Sequence, residues 1–294
     1  MKKKHICPIF LTLLCLCLFT GCNKDAPRKD DIYELIGNDD IVAIKKLLSD
    51  AIDLEKKDFI PIYQDITPLF FSAICGRYEI AEILLKSGAN VDTLNYQKWT
   101  PLYFVAMNGK DTRIAQLLID YGADVHHKTD GSSTPLHAAA TNGNLELIKI
   151  LIDYGADVND ISMSNRTPLD YAALEGNTEA VKLLVRSGAE LWPQDGGPSW
   201  PYSHALGSGN IKTAEAIVSM ADISKVDNNG HTIFHKACIR GDLQLVEMLV
   251  KLHDDLNINQ RDLQSSTPLD LAIRCNPQKK KLHQFLKKHG ARIR

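Results

Sequence analysis

The sequence predicts an all-α solenoid of about eight stacked helix-turn-helix units joined by short β-hairpin-like loops. Three observations carry this. A Thr-Pro-Leu signal recurs, starting at Thr67, Thr100, Thr134, Thr167 and Thr267, with weaker copies at Trp200-Pro201-Tyr202 and Thr232-Ile233-Phe234; the steps are 33, 34, 33, 33, 32 and 35 residues. Nine residues after each start stands Gly76, Gly109, Gly143, Gly176, Gly209 or Gly241, and Asn276 in the last copy. Finally, each unit holds two short apolar stretches that cannot bury their faces alone and must stack on copies of themselves.

Each element has a local reason. Thr is a good N-cap because its hydroxyl accepts a bond from a free helical N–H, and Pro fits the first helical position, where no donor is needed. In the Thr134 unit, Ala138, Ala139 and Ala140 form a small-residue helix, and Leu147, Ile148, Leu151 and Ile152 line a second one. A Gly-Ala pair closes the second helix at Gly88, Gly122, Gly155, Gly188 and Gly290. This period and these motifs resemble the ankyrin repeat, from about Asp31 to the C-terminus. The resemblance implies helix pairs stacked at roughly 8–10 Å between axes. It also implies a structural His at His137 and His235, whose place Asp170 and Asp270 take in other units.

From the start of the chain, Lys2, Lys3 and Lys4 precede an apolar run from Ile6 to Phe19 that is short for a membrane span. Leu18-Phe19-Thr20-Gly21-Cys22 resembles a bacterial lipobox, with Phe19 departing from the usual aliphatic. That resemblance implies a signal peptide over residues 1–21, acylation of Cys22 and, from Asn23, outer-membrane sorting toward the periplasm. An ordinary cleaved signal or an uncleaved anchor is the alternative. Residues 22–30 form a polar tether, and residues 31–294 the repeat domain. Asp31 to Asp58 reads as a degenerate capping unit. Pro193 to Gly209, with Pro193, Pro198, Pro201, Gly196, Gly197, Gly207 and Gly209, is expected to be the weakest part, since an interior Gly costs about 0.5–1 kcal/mol.

Loss of Lys2, Lys3 and Lys4 with the leader takes the net charge from −2 to −5, which argues against a nucleic-acid partner. The one basic segment runs from Lys279 to Arg294; it reads as the solvated face of a terminal helix or, alternatively, as a contact for anionic headgroups. Cys75, Cys238 and Cys275 remain outside the leader. Cys75 and Cys275 are six units apart, beyond the roughly 7 Å a disulfide needs, so no structural disulfide is expected. No nucleotide-binding, metalloprotease or nucleophile-elbow motif occurs, so neither catalysis nor a cofactor is expected. His235 and Cys238 have metal-like spacing but fall in structural places, and His126-His127 lacks nearby partners.

The resemblance places partner contacts on the hairpin tips and the last turn of each first helix. This selects Tyr63, Ile66 and Ile74 in the Thr67 unit and Tyr96, Trp99 and Met107 in the Thr100 unit. Met163, Arg166 and Leu174 follow in the Thr167 unit, and His231 and Arg240 in the Thr232 unit. The first two units would expose large apolar groups on the concave side where the Thr134 unit has Asp130, Gly131, Ser133, Thr141 and Asn142. Such residues are enriched in interface cores; packing on one another is the alternative. The expected function is a membrane-tethered protein-binding module, extending by family resemblance to an immunity protein that blocks a periplasmic toxin. An envelope scaffold is the runner-up, and a metal protein or enzyme is disfavoured.

Overall fold

The computed structural model describes residues 32–49, 52–57, 65–109, 111–192 and 200–293. The expected leader, Cys22, the tether and Tyr63 lie outside them. The described residues contain sixteen α-helices and fall into two compact units, one ending at Ile52 and one from Asp53 onward. In the first, α1 (Ile32–Gly37) packs on α2 (Ile41–Ser49), with Ile36 and Ile44 buried.

The second unit is a stack of seven helix pairs. They are α3 (Pro68–Cys75) with α4 (Tyr78–Lys86), α5 (Pro101–Asn108) with α6 (Thr112–Asp120), α7 (Pro135–Asn142) with α8 (Leu145–Asp153), and α9 (Pro168–Glu175) with α10 (Thr178–Arg186). α11 (Pro201–Gly207) with α12 (Ile211–Ser219), α13 (Ile233–Arg240) with α14 (Leu243–Leu252), and α15 (Pro268–Cys275) with α16 (Lys280–Lys288) complete it. Thr67 and Thr100 cap their helices at Phe70 N (3.3 Å) and Tyr103 N (3.1 Å). The third residue of each signal is core: Leu69, Leu102, Leu136, Leu169 and Leu269 are buried. Tyr202 and Phe234 fill the same slot in the weaker copies, and Tyr202 thereby buries a hydroxyl with no partner.

His137 joins units rather than serving chemistry. Thr134 N–H donates to His137 Nδ1 (3.1 Å), and Nε2 lies 3.1 Å from Arg166 O in the next unit. A backbone donor on one nitrogen and a carbonyl on the other fix the neutral tautomer protonated at Nε2. His235 repeats this with Thr232 N (3.2 Å) and Gln260 O (3.1 Å). Burial lowers the pKa of both rings. Asp170 and Asp270 accept from the N–H of their own cap, Thr167 or Thr267, at 2.9 Å, as the sequence reading expects.

Asparagines tie successive units together. Asn142 Nδ2 donates to Ala106 O (3.1 Å) and Met107 O, Asn177 to Ala140 O (3.0 Å) and Thr141 O (2.8 Å), and Asn210 to Leu174 O (2.9 Å). Asn276 donates likewise to Cys238 O (3.1 Å) and Ile239 O (2.7 Å). These bonds reach last-turn carbonyls; Ala140 O and Cys238 O also accept from the closing Gly143 N (3.2 Å) and Gly241 N (3.1 Å).

One seam breaks the pattern. In this second unit every other successive pair of first helices packs closely, but α11 and α13 approach each other less closely, although α12 and α14 pack. Asp242 stands where Asn177 and Asn210 stand, and its carboxylate caps α14 at Leu245 N (3.1 Å). A carboxylate has no hydrogen to donate to the preceding unit's carbonyls. Between the first helices the seam is bridged by the Arg240 guanidinium, 4.3 Å from the centre of the Trp200 indole; between the second helices Lys251 pairs with Glu215 (2.9 Å) and His253 Nε2 lies 2.9 Å from Val218 O. Trp200 in turn packs on Trp192 (5.3 Å) and Tyr202 (6.1 Å).

Candidate partner-binding face

The hairpin before each Thr is built by one repeated device. The residue five places before the Thr pairs its N–H with the carbonyl of the residue one before it: Asn95 with Trp99 (3.2 Å), Thr129 with Ser133 (3.1 Å), Ser162 with Arg166 (3.0 Å), Asp227 with His231 (3.1 Å) and Asp262 with Ser266 (3.1 Å). Its side chain often closes the loop as well. Asn95 Oδ1 accepts from Gln97 N (3.0 Å) and Trp99 N (2.9 Å), and Asp262 Oδ1 from Gln264 N (2.9 Å) and Ser266 N (2.8 Å). Small polar side chains favour such loops because they can bond nearby backbone. The turn throws the next side chain outward, at Tyr96, Asp130, Met163, Asn228 and Leu263. Adjacent hairpins are tied, Met163 N to Gly131 O (2.9 Å) and Leu263 N to Asn229 O (3.0 Å).

Among the expected contact residues, Tyr96 is 73% and Met163 75% exposed. Ile66 corrects the sequence reading: it is fully buried and forms a core cluster with Phe70 and Phe104. The physical reason is bulk. Phe70 and Phe104, 5.8 Å apart, stand where the Thr134 unit has His137 and Ala138, and they enclose Ile66. Ile74 and Trp99 are half-buried against this cluster, and so is Phe71, which the sequence reading left out. Phe71 occupies the place of Ala138, a substitution that signals surplus apolar bulk on the first-helix face. Trp99 also packs on Tyr103 (5.4 Å), whose hydroxyl pKa burial raises to about 12. Met107 is half-buried.

The remaining residues are partly committed elsewhere. Leu174 is half-buried. Arg166 lies 5.9 Å from the Tyr171 ring centre, and Arg240 over Trp200. His231 is held by Asp262 (3.2 Å) and Asp227 (3.7 Å), which leaves its ring little freedom for a partner. No disulfide joins Cys75, Cys238 and Cys275, and burial raises the Cys238 pKa to about 12. Because His235 uses both nitrogens internally, the His235–Cys238 pair offers a metal neither a lone pair nor a thiolate. Among the described residues, no group of three or more His, Cys, Asp or Glu gathers to hold a metal ion. No described helix is long and apolar enough to cross a membrane.

Stacked helix pairs with outward hairpin tips and a half-exposed apolar face define a repeat-type protein-interaction module. Comparison with known proteins identifies which kind: the ankyrin-repeat profile matches residues 34–129, 102–195 and 203–294, and the chain belongs to the ankyrin-repeat family. The family is typically non-catalytic. The chain is 40% identical over 81 residues to an ankyrin-repeat protein of Rickettsia felis, covering 28% of this chain and 35% of that one. It is 42% identical over 69 residues to the inactive serine/threonine-protein kinase TEX14 of Bos taurus, covering 24% of this chain and 5% of the relative. Human Rabankyrin-5 is 27% identical over 178 residues, covering 60% of this chain and 12% of the relative. The match thus spans about a third or less of each of these three relatives.

Proposed function

We propose that this ankyrin-repeat chain is an envelope protein, acylated at Cys22, that holds a protein partner on the first-helix face of its Thr67 and Thr100 units. The partner is a toxic effector arriving in the periplasm, and the chain is the immunity protein that blocks it. The observation that supports this reading best is the surface formed by Phe71, Ile74 and Trp99, which are only half-buried on one apolar cluster, in two units that also carry the half-buried Met107 and the exposed Tyr96. A contiguous half-exposed apolar surface with Trp, Tyr and Met is the composition of an interface core. The Thr134 unit, with small polar groups in the same places, has nothing to anchor a partner. The lipobox-like leader supports the address, and a stoichiometric blocker needs a surface rather than an active site.

The test is a pull-down from cell envelope and from secretions of competing strains, with wild-type protein and the Tyr96→Ala/Trp99→Ala double variant as baits. A secreted toxin captured by the wild type, and at least about tenfold less by the variant, is the expected result. Capture of a resident envelope enzyme instead would make the chain a scaffold and overturn the immunity reading. Equal capture by both baits would move the site away from Tyr96 and Trp99.

A further inference from the structure

The C-terminal end of the stack carries a charge distribution that neither the fold nor the partner-binding face uses. No Asp or Glu follows Asp270, while Arg274, Lys279, Lys280, Lys281, Lys287, Lys288, Arg292 and Arg294 do; residues 1–270 therefore carry −10 against −2 for the whole chain. α16 turns Leu282 and Leu286 into the core against α15 and leaves Lys280, Lys281, Lys287 and Lys288 exposed. Elsewhere on the molecule some basic groups pair with a carboxylate, namely Lys86, Lys98, Arg113, Lys128, Lys182, Lys236 and Lys251, and the others among the described residues lie among acidic neighbours in the sequence. Among the described residues, none of the seven basic groups from Arg274 to Arg292 pairs with a carboxylate. Lys279 Nζ donates only to backbone, 2.9 Å from Gly241 O.

Helix stability does not explain the pattern. Cations are unfavourable in a first turn, where the helix dipole presents its positive end. Lys280 and Lys281 stand there with no acidic residue beside them. Ile293, next to Arg292, is 58% exposed.

We propose that this end of the stack is a docking surface for an anionic phospholipid membrane. A planar sheet of headgroups meets the basic end alone. The acidic body stays farther off, where charges beyond about 8 Å are screened at physiological salt. An extended nucleic acid would instead have to run along the acidic units. The geometry also suits an interface: lysines reach the headgroups while Ile293 enters the acyl boundary. Each such cation strengthens attachment to an anionic leaflet about fivefold. The surface does not depend on acylation of Cys22 or on the identity of any protein partner.

The test is sedimentation of the full chain carrying Cys22→Ala with vesicles of phosphatidylglycerol and phosphatidylcholine, or of phosphatidylcholine alone, at two salt concentrations. The comparison is the same chain with K280Q/K281Q/K287Q/K288Q. Lys2 to Lys4 and the apolar leader are common to both, so the difference reports the C-terminal end. The expected result is binding to the anionic vesicles at least about tenfold tighter for the parent, a gap that narrows in high salt. Equal binding by the two chains, with matching thermal unfolding, would overturn the proposal. If the quadruple variant unfolds, K287Q/K288Q with Ile293→Asp replaces it, and the same two outcomes apply. Tighter binding of the parent to a duplex oligonucleotide than to anionic vesicles, lost in the variant, would also overturn it.

Discussion

The seam between the Thr134 and Thr167 units and the seam between the Trp200 and Thr232 units are made from the same repeat, yet they are held differently. In the first, α7 packs on α9, His137 reaches Arg166 O, and Asn177 donates to two carbonyls of α7. In the second, the first helices approach less closely, no asparagine crosses among the described residues, and the seam is spanned by the Arg240–Trp200 contact, by His253 Nε2 against Val218 O (2.9 Å) and by the Lys251–Glu215 pair (2.9 Å). A solenoid's stability is a sum of unit and nearest-neighbour terms. The difference therefore teaches that the stack is uneven: its C-terminal two pairs are joined to the rest mainly through α12 and α14.

The largest contrast is expected at two glycines with the same backbone. Gly143 has φ +70° and Gly209 φ +81°, in the left-handed region where a side chain costs roughly 1–2 kcal/mol. A Cβ on Gly143 would come within 2.7 Å of Asn177 Cγ, whereas one on Gly209 meets nothing within 4 Å. Displacing Asn177 strands Thr141 O and takes from Ala140 O one of its two donors, the other being Gly143 N (3.2 Å), which adds roughly 1–3 kcal/mol. Gly143→Ala is thus expected to lower unfolding free energy by about 3 kcal/mol and Gly209→Ala by about 1 kcal/mol in chemical denaturation. Equal losses would show that the Asn177 bonds contribute nothing.

A second, smaller contrast lies one seam along. Asp170 occupies the slot of His137, and its Oδ1 is buried with no hydrogen-bond partner, 3.8 Å from His204 Nε2. Burial raises its carboxyl from 3.8 to about 6, against the weaker opposing effect of bonds from Thr167. A folded-state value above the unfolded one means that the charged form opposes folding. The cost is absent below about pH 4, grows as pH rises to about 6, and is complete above that. The full shift corresponds to about 3 kcal/mol. Asp170→Asn, whose new amide donors stay partly unsatisfied, is expected to stabilise the fold by about 2 kcal/mol at pH 8 and by close to zero at pH 4. A difference between the two chains that did not change with pH would rule out the buried carboxylate as its cause.

These contrasts also mark what could be read before the fold was known. The caps, the leucine slot and the structural roles of His137, Asp170 and His235 follow from residue type and period, because each acts within one unit. Ile66 was misread because its burial depends on Phe70 and on Phe104 in the next unit, a pairing that position within one repeat does not reveal. The open seam was likewise hidden. Asp242 is as good an N-cap as Asn210 would be, and only the placement of one unit on another turns the missing donor into a missing bond. The exposed tip of Tyr96 was legible for the opposite reason, since the Asn95 loop that projects it is local.

The smallest expected effect separates two explanations of the open seam. If the absent donor at residue 242 were its cause, Asp242→Asn would close it, because Asn keeps the cap on Leu245 and adds an N–H. If the large Trp200 side chain and its Arg240 partner hold α11 and α13 apart, the new amide finds no carbonyl within reach. The second is expected, from the 4.3 Å stack of Arg240 on Trp200 and the looser approach of the two helices. Asp242→Asn should then change unfolding free energy by less than about 0.5 kcal/mol, the size of an ordinary surface substitution. In the regular seam, Asn177→Ala should cost about 1–2 kcal/mol, because it leaves Thr141 O without its donor and Ala140 O with Gly143 N alone. Hydrogen exchange would show where each effect acts: Asp242→Asn should leave protection of α13 unchanged, and Asn177→Ala should reduce it in the last turn of α7. A gain in α13 protection would identify the missing donor, rather than Trp200, as the origin of the break.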